Sequence, residues 1–79
     1  MPLEVELVAA DHKVWSGEAS MVVARTLDGD LGVLPGHTPV LAVLAASAIT
    51  IKATDGTDVV AHCDGGFLSV EHDRVMIVS

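Results

Sequence analysis

The chain has 79 residues, 51% of them hydrophobic, and a formal net charge of −7 from eleven acidic against four basic residues. That length allows one domain with a small core, and the acidic balance excludes the lysine- and arginine-rich surface that nucleic acid or an anionic membrane requires. A mean hydropathy of +0.55 is more apolar surface than so short a chain hides easily. Either the surface carries many small residues such as Ala or, the preferred reading, one face is kept for a partner.

The segment Met1-Pro2-Leu3-Glu4-Val5-Glu6 lacks the basic region and long apolar stretch of a signal peptide. No run approaches the roughly 18 apolar residues of a helical membrane span. The single Cys63 rules out a disulfide within the chain, which fits a reducing compartment. The expectation is a cytoplasmic protein.

In chain order, Leu3, Val5 and Leu7 alternate with Glu4 and Glu6, the period-two pattern of a strand with one buried face. Ala10-Asp11-His12-Lys13 breaks the pattern, and Val14-Trp15-Ser16 reads as a short return strand ended by Gly17. Ala19 to Ala24 is almost continuously apolar and includes Val22 and Val23, which predicts a central strand covered on both faces. Asp28-Gly29 is a hairpin signal, because both residues tolerate the positive φ of a tight turn.

The most constrained stretch follows, Gly29-Asp30-Leu31-Gly32-Val33-Leu34-Pro35-Gly36-His37-Thr38-Pro39. It sets three glycines and two prolines around one short strand, Leu31 to Leu34. Val40 to Ala46 predicts another strand, since seven residues between breakers is short for a helix. Ile49 and Ile51 then alternate with Thr50 and Lys52, and Asp55-Gly56 is a second hairpin turn.

Val59, Ala61 and Cys63 share one face of the next strand, with Val60 and His62 on the other. Gly65-Gly66 interrupts it. Phe67 to Glu71 and Arg74 to Val78 close the chain as a hairpin across His72-Asp73. The sum is about eight to ten short strands, no amphipathic helix and a single domain over residues 1–79. That is an all-β fold, an antiparallel sandwich or barrel.

Chemistry at these positions is mostly excluded. His62 and Cys63 are neighbours in a strand, so they point to opposite faces and cannot share an ion. No paired-cysteine or paired-histidine spacing exists, and structural zinc normally takes four ligands. Gly32 to Thr38 is one residue short for a phosphate-binding loop, has His37 where the lysine should stand, and precedes no helix. No serine sits in a nucleophile elbow. No catalytic, cofactor or metal site is therefore expected.

Two residues keep two readings each. Lys13 follows a turn, the placement of a carrier lysine, but its neighbours and the strand count differ from those of such carriers, which favours a solvated turn lysine. His37 reads as a histidine serving its own turn or as a contact at a protein interface. On residues alone, a stand-alone carrier or protein-binding sandwich remains the competing class.

Four segments carry a further signal: Val14-Trp15-Ser16-Gly17-Glu18-Ala19, the stretch Gly29 to Pro39, Asp64-Gly65-Gly66-Phe67-Leu68-Ser69-Val70, and Val75-Met76-Ile77-Val78. In this order and spacing the chain resembles, over essentially its whole length, the N-terminal β-sandwich domain of the epsilon subunit of bacterial F-type ATP synthases. The resemblance implies a flattened antiparallel β-sandwich of about ten short strands. It implies a rotor subunit of the central stalk, with no catalysis or cofactor of its own. Its partners would be the gamma subunit and the polar loops of the c-ring, with the catalytic head reached only indirectly. It would sit at the cytoplasmic face of the membrane without entering the bilayer.

Carried over by position, Asp28, Gly29 and Asp30 match the turn that meets the c-ring. The family often has Glu where Asp30 stands, so the reach is one methylene shorter here. His37, Pro39 and Leu41 match the surface facing gamma, with Val75 and Ile77 of the last strand added to it. The family usually continues into a helical hairpin that inhibits ATP hydrolysis and in some members binds ATP. This sequence ends at Ser79, so neither property is expected of it.

Overall fold

The first strand forms where the sequence alternates. In the computed structural model, which describes residues 2–9 and 12–79, β1 (Leu3–Val8) turns Leu3, Val5 and Leu7 into the core and Glu4 outward. The next strand, β2 (Lys13–Thr26), runs 14 residues without interruption. The stop expected at Gly17 does not occur, because Gly17 stays in the ladder opposite Val5. The Trp15 ring lies over it, with ring carbons 3.0 Å from where a Cβ would stand. Gly17 makes room for the indole.

β2 pairs with β1 from Lys13 to Ala19 and with β5 (Ser47–Ala53) from Ala19 onward. The β5 ladder slips between Ala19 and Met21, leaving Ser20 as the extra residue. One extra residue inverts the facing of everything after it. The inward set accordingly passes from Trp15 and Ala19 to Val22, Ala24 and Thr26. Met21 and Val23 are half-buried on the outer side, so the strand is not covered on both faces as expected. The near-continuous apolar run records a change of facing.

The remaining strands are β3 (Gly29–Val33), β4 (Val40–Val43), β6 (Asp58–Cys63), β7 (Phe67–Glu71) and β8 (Arg74–Val78). One leaf runs β4-β7-β8-β1 and the first half of β2. The other runs β3, the second half of β2, β5 and β6. The molecule measures 29 × 25 × 18 Å, and its short axis suits two sheets about 10 Å apart plus their outward side chains. A single core lies between them, centred on Leu3, Leu7, Val22, Ile49, Ile51, Leu68 and Ile77.

The all-β sandwich agrees with the sequence reading, with differences in detail. The described residues form eight strands, not about ten, partly because β2 is one strand where two were expected. One pair is parallel: β1 and β8, from Glu4 opposite Arg74 to Val8 opposite Val78. β4 ends at Val43 instead of Ala46. Beyond it Leu44 bridges Thr26 and the Ala45 N–H donates to Arg25 O at 3.0 Å, closing one leaf against the other.

Two hairpin turns lie one residue earlier than their Asp-Gly steps suggested. Leu27-Asp28 and Thr54-Asp55 make the turns, and the positive φ falls on the following Gly29 (122°) and Gly56 (92°). The Thr57 N–H donates to Asp55 Oδ1 at 2.9 Å, which holds that exposed carboxyl below the usual range. The last hairpin forms as expected, with His72 (φ 49°) and Asp73 (φ 60°) as its two turn residues.

Gly66 tests this packing. Its φ is 110°, and an added Cβ would overlap the Val78 carbonyl oxygen. Gly66→Ala is expected to cost more than about 2 kcal/mol. Gly29→Ala, with nothing within 4 Å, should cost only about 1–2 kcal/mol from its backbone conformation. Urea midpoints of the two variants check that order.

Candidate functional site

Short β3 is flanked by two turns, and each is held by bonds the sequence does not advertise. At the first, Thr26 is the one buried polar residue among those described. Its Oγ1 accepts from the Asp28 N–H at 3.1 Å and donates to Gly29 O at 2.9 Å. A hydroxyl that closes its own turn in this way stiffens it. The Leu27 N–H donates to Val43 O at 3.0 Å, fixing the tip to the end of β4.

Asp28, Gly29 and Asp30 are all exposed at this tip, as the sequence suggested. Asp30 Oδ1 lies 2.9 Å from Arg25 Nε, its cross-strand partner. Both side chains are open to water, so the pair is worth at most about 1 kcal/mol. Leu27 was missed. Its side chain is 71% exposed at the apex, and the available signal was an aliphatic residue inside a Thr-Leu-Asp-Gly turn. A shallow groove of about 450 Å³ runs from this tip to β4, lined by Leu27, Asp28, Asp30, Leu31, Leu41 and Val43. Leu41, grouped by sequence with His37, shares this groove with the tip.

At the second turn, the His37 N–H donates to Leu34 O at 3.1 Å. The imidazole Nδ1 lies 2.6 Å from Thr38 O; since a carbonyl only accepts, that nitrogen carries the proton. His37 thus serves its own turn, whatever else it touches. The Gly36 N–H donates to Asp73 Oδ1 at 2.7 Å. Pro39 is exposed beyond it.

Val75 and Ile77 require a correction. They are 2% and 0% exposed and belong to the core, so neither can face a partner. The outward residues of β8 are Arg74, Met76 and Val78, of which the last two are apolar. Val78 stands opposite Phe67, which stands opposite Val43, and Met76 stands beside Ser69, opposite Leu41. The result is an apolar patch across β4, β7 and β8 formed by Leu41, Val43, Phe67, Met76 and Val78, all at least one-third exposed.

The other candidates fall into place singly. His62 is exposed and Cys63 buried, on opposite faces as the alternation requires. Lys13 pairs opposite Val8 at the turn end of the ladder, with Nζ 3.7 Å from Glu6 Oε1, so it belongs to the strand and not to a hairpin tip as a carrier lysine would. Ala10 and Asp11, from the break before it, lie outside the described residues. Among the described residues no three metal-ligating side chains converge, and no helix is long and apolar enough to cross a membrane.

Comparison with known proteins adds the following. The family model for the ATP synthase delta/epsilon chain beta-sandwich domain matches residues 2–79. The chain is 52% identical over 77 residues to the ATP synthase epsilon chain of Micrococcus luteus, covering 98% of this chain and 85% of that one. It is 53% identical to the ATP synthase epsilon chain of Streptomyces avermitilis, where 98% of this chain spans 62% of the relative. In fold it is similar to a chain from the Euglena gracilis mitochondrial ATP synthase OSCP/F1/c-ring structure. There the TM-score is 0.92 at 24% identity, with 99% of this chain and 50% of that chain covered.

The corrected facing of β8 is measurable. Ile77→Ala, in the core, is expected to cost about 2–5 kcal/mol. Met76→Ser, one position away, should change stability by no more than about 0.5 kcal/mol. Thermal unfolding of both variants checks the contrast.

Proposed function

The chain belongs to the family of the ATP synthase delta/epsilon chain beta-sandwich domain, and we propose that it acts as a non-catalytic subunit of the central stalk. In this role it binds the gamma subunit and the polar loops of the c-ring, so that proton-driven rotation reaches the catalytic head without slipping. It is a peripheral component at the cytoplasmic face of the membrane. The observation that carries this reading is 52% identity to a bacterial epsilon chain over 98% of this chain.

The geometry supports a division of labour. The tip at Asp28, Gly29 and Asp30 is the ring-facing end, where exposed carboxylates meet basic or amide groups and Leu27 adds an apolar contact. His37, Pro39 and Leu41 face gamma. The apolar patch that includes Leu41, Phe67 and Met76 takes the place of Val75 and Ile77 and gives that contact an apolar centre of the kind stable interfaces have.

Co-purification with a gamma subunit tests the reading, and a stable complex is expected. A folded protein that does not bind gamma would overturn it. In the assembled synthase, Asp28→Lys and Asp30→Lys are expected to weaken the coupling of proton flow to ATP synthesis more than they weaken gamma binding. Equal loss of both would show that the tip is not a separate contact.

A further inference from the structure

We infer that Asp73 is a positioning residue, whose carboxylate latches the turn carrying His37 into the shape it presents to its partner. The inference rests on the proposed role of that turn in binding gamma. Asp73 occupies a turn position with φ 60°, where glycine and asparagine sit with least strain. Aspartate is also tolerated there, and its side chain does more than fit the turn. Oδ1 accepts the Gly36 N–H at 2.7 Å across 37 residues of sequence, the length of a charge-assisted bond.

The latch is anchored on its other side. The Asp73 carbonyl accepts the Glu4 N–H at 2.8 Å, and Arg74 Nε lies 3.4 Å from Glu4 Oε2. The β7–β8 turn is thereby fixed to the start of β1, and the Leu34-Pro35-Gly36-His37 turn is hung from it. That second turn has its own closing bond, His37 N–H to Leu34 O, but this bond sets its internal shape only. The bond to Asp73 sets where His37 and Pro39 sit relative to the sheet.

Three variants separate positioning from general stability. Asp73→Asn keeps an oxygen acceptor and tolerates the backbone. Asp73→Ala loses the acceptor and keeps the strain, whereas Asp73→Gly loses the acceptor and relieves it. Amide exchange at Gly36 is expected to stay near wild type in Asp73→Asn. It should accelerate about tenfold or more in the other two. Gamma affinity should follow the same order, with Asp73→Gly about tenfold weaker although it unfolds no earlier than Asp73→Ala.

Unchanged Gly36 exchange in Asp73→Gly would overturn the latch. Wild-type gamma affinity in Asp73→Gly, despite faster exchange, would overturn its positioning role. A wild-type chain that ignores gamma would overturn the reading of the surface, and the exchange series would then decide the latch by itself.

Discussion

Ser20 stands opposite nothing in β5: the ladder steps from Ala19–Ala53 to Met21–Lys52, and β2 changes facing at that point. This is what lets one strand line the core from both leaves. Without the extra residue, the second half of β2 would turn Met21, Val23 and Arg25 inward and expose Val22 and Ala24. Burying an unpaired guanidinium costs several kcal/mol or more, a large part of the stability of so small a domain. The bulge also places Arg25 outside, where it meets Asp30, and Thr26 inside, where its hydroxyl braces the tip.

Where one face is polar, the sequence was legible. The alternation of β1, β5 and β6 and the turn at His72-Asp73 follow from local chemistry alone, as does the exposure of Asp28 to Asp30. Gly17 was misread because its role depends on where the Trp15 ring lies, which no local rule contains. β8 was misread for a different reason. Its Val75-Met76-Ile77-Val78 is apolar at every position, so hydropathy shows neither a period nor an inward set; that choice is made by pairing with β7 and β1. Asp73 and Gly36 were legible separately as turn residues, but a bond across 37 positions is a product of the fold.

Composition promised more apolar surface than the core could hold, and the fold concentrates a large part of it. The core takes one face of each strand, and the β4-β7-β8 leaf keeps Leu41, Val43, Phe67, Met76 and Val78 in adjoining rows on the other. Further along the same strands the surface becomes ionic, with Glu71 and Arg74 at opposite register positions of the hairpin and Arg74 ion-paired with Glu4. A partner docking there meets an apolar field with a charged border, which fixes orientation as well as affinity.

The parallel pairing of β1 with β8 bears on how the domain responds to force. The first and last strands lie side by side over five residue pairs and point the same way, so the two ends of the ladder emerge at opposite ends of the sandwich. Tension applied between them pulls the strands past one another along their length. The evenly spaced bonds of a parallel ladder then carry the load together, where a peeling geometry would break them one at a time.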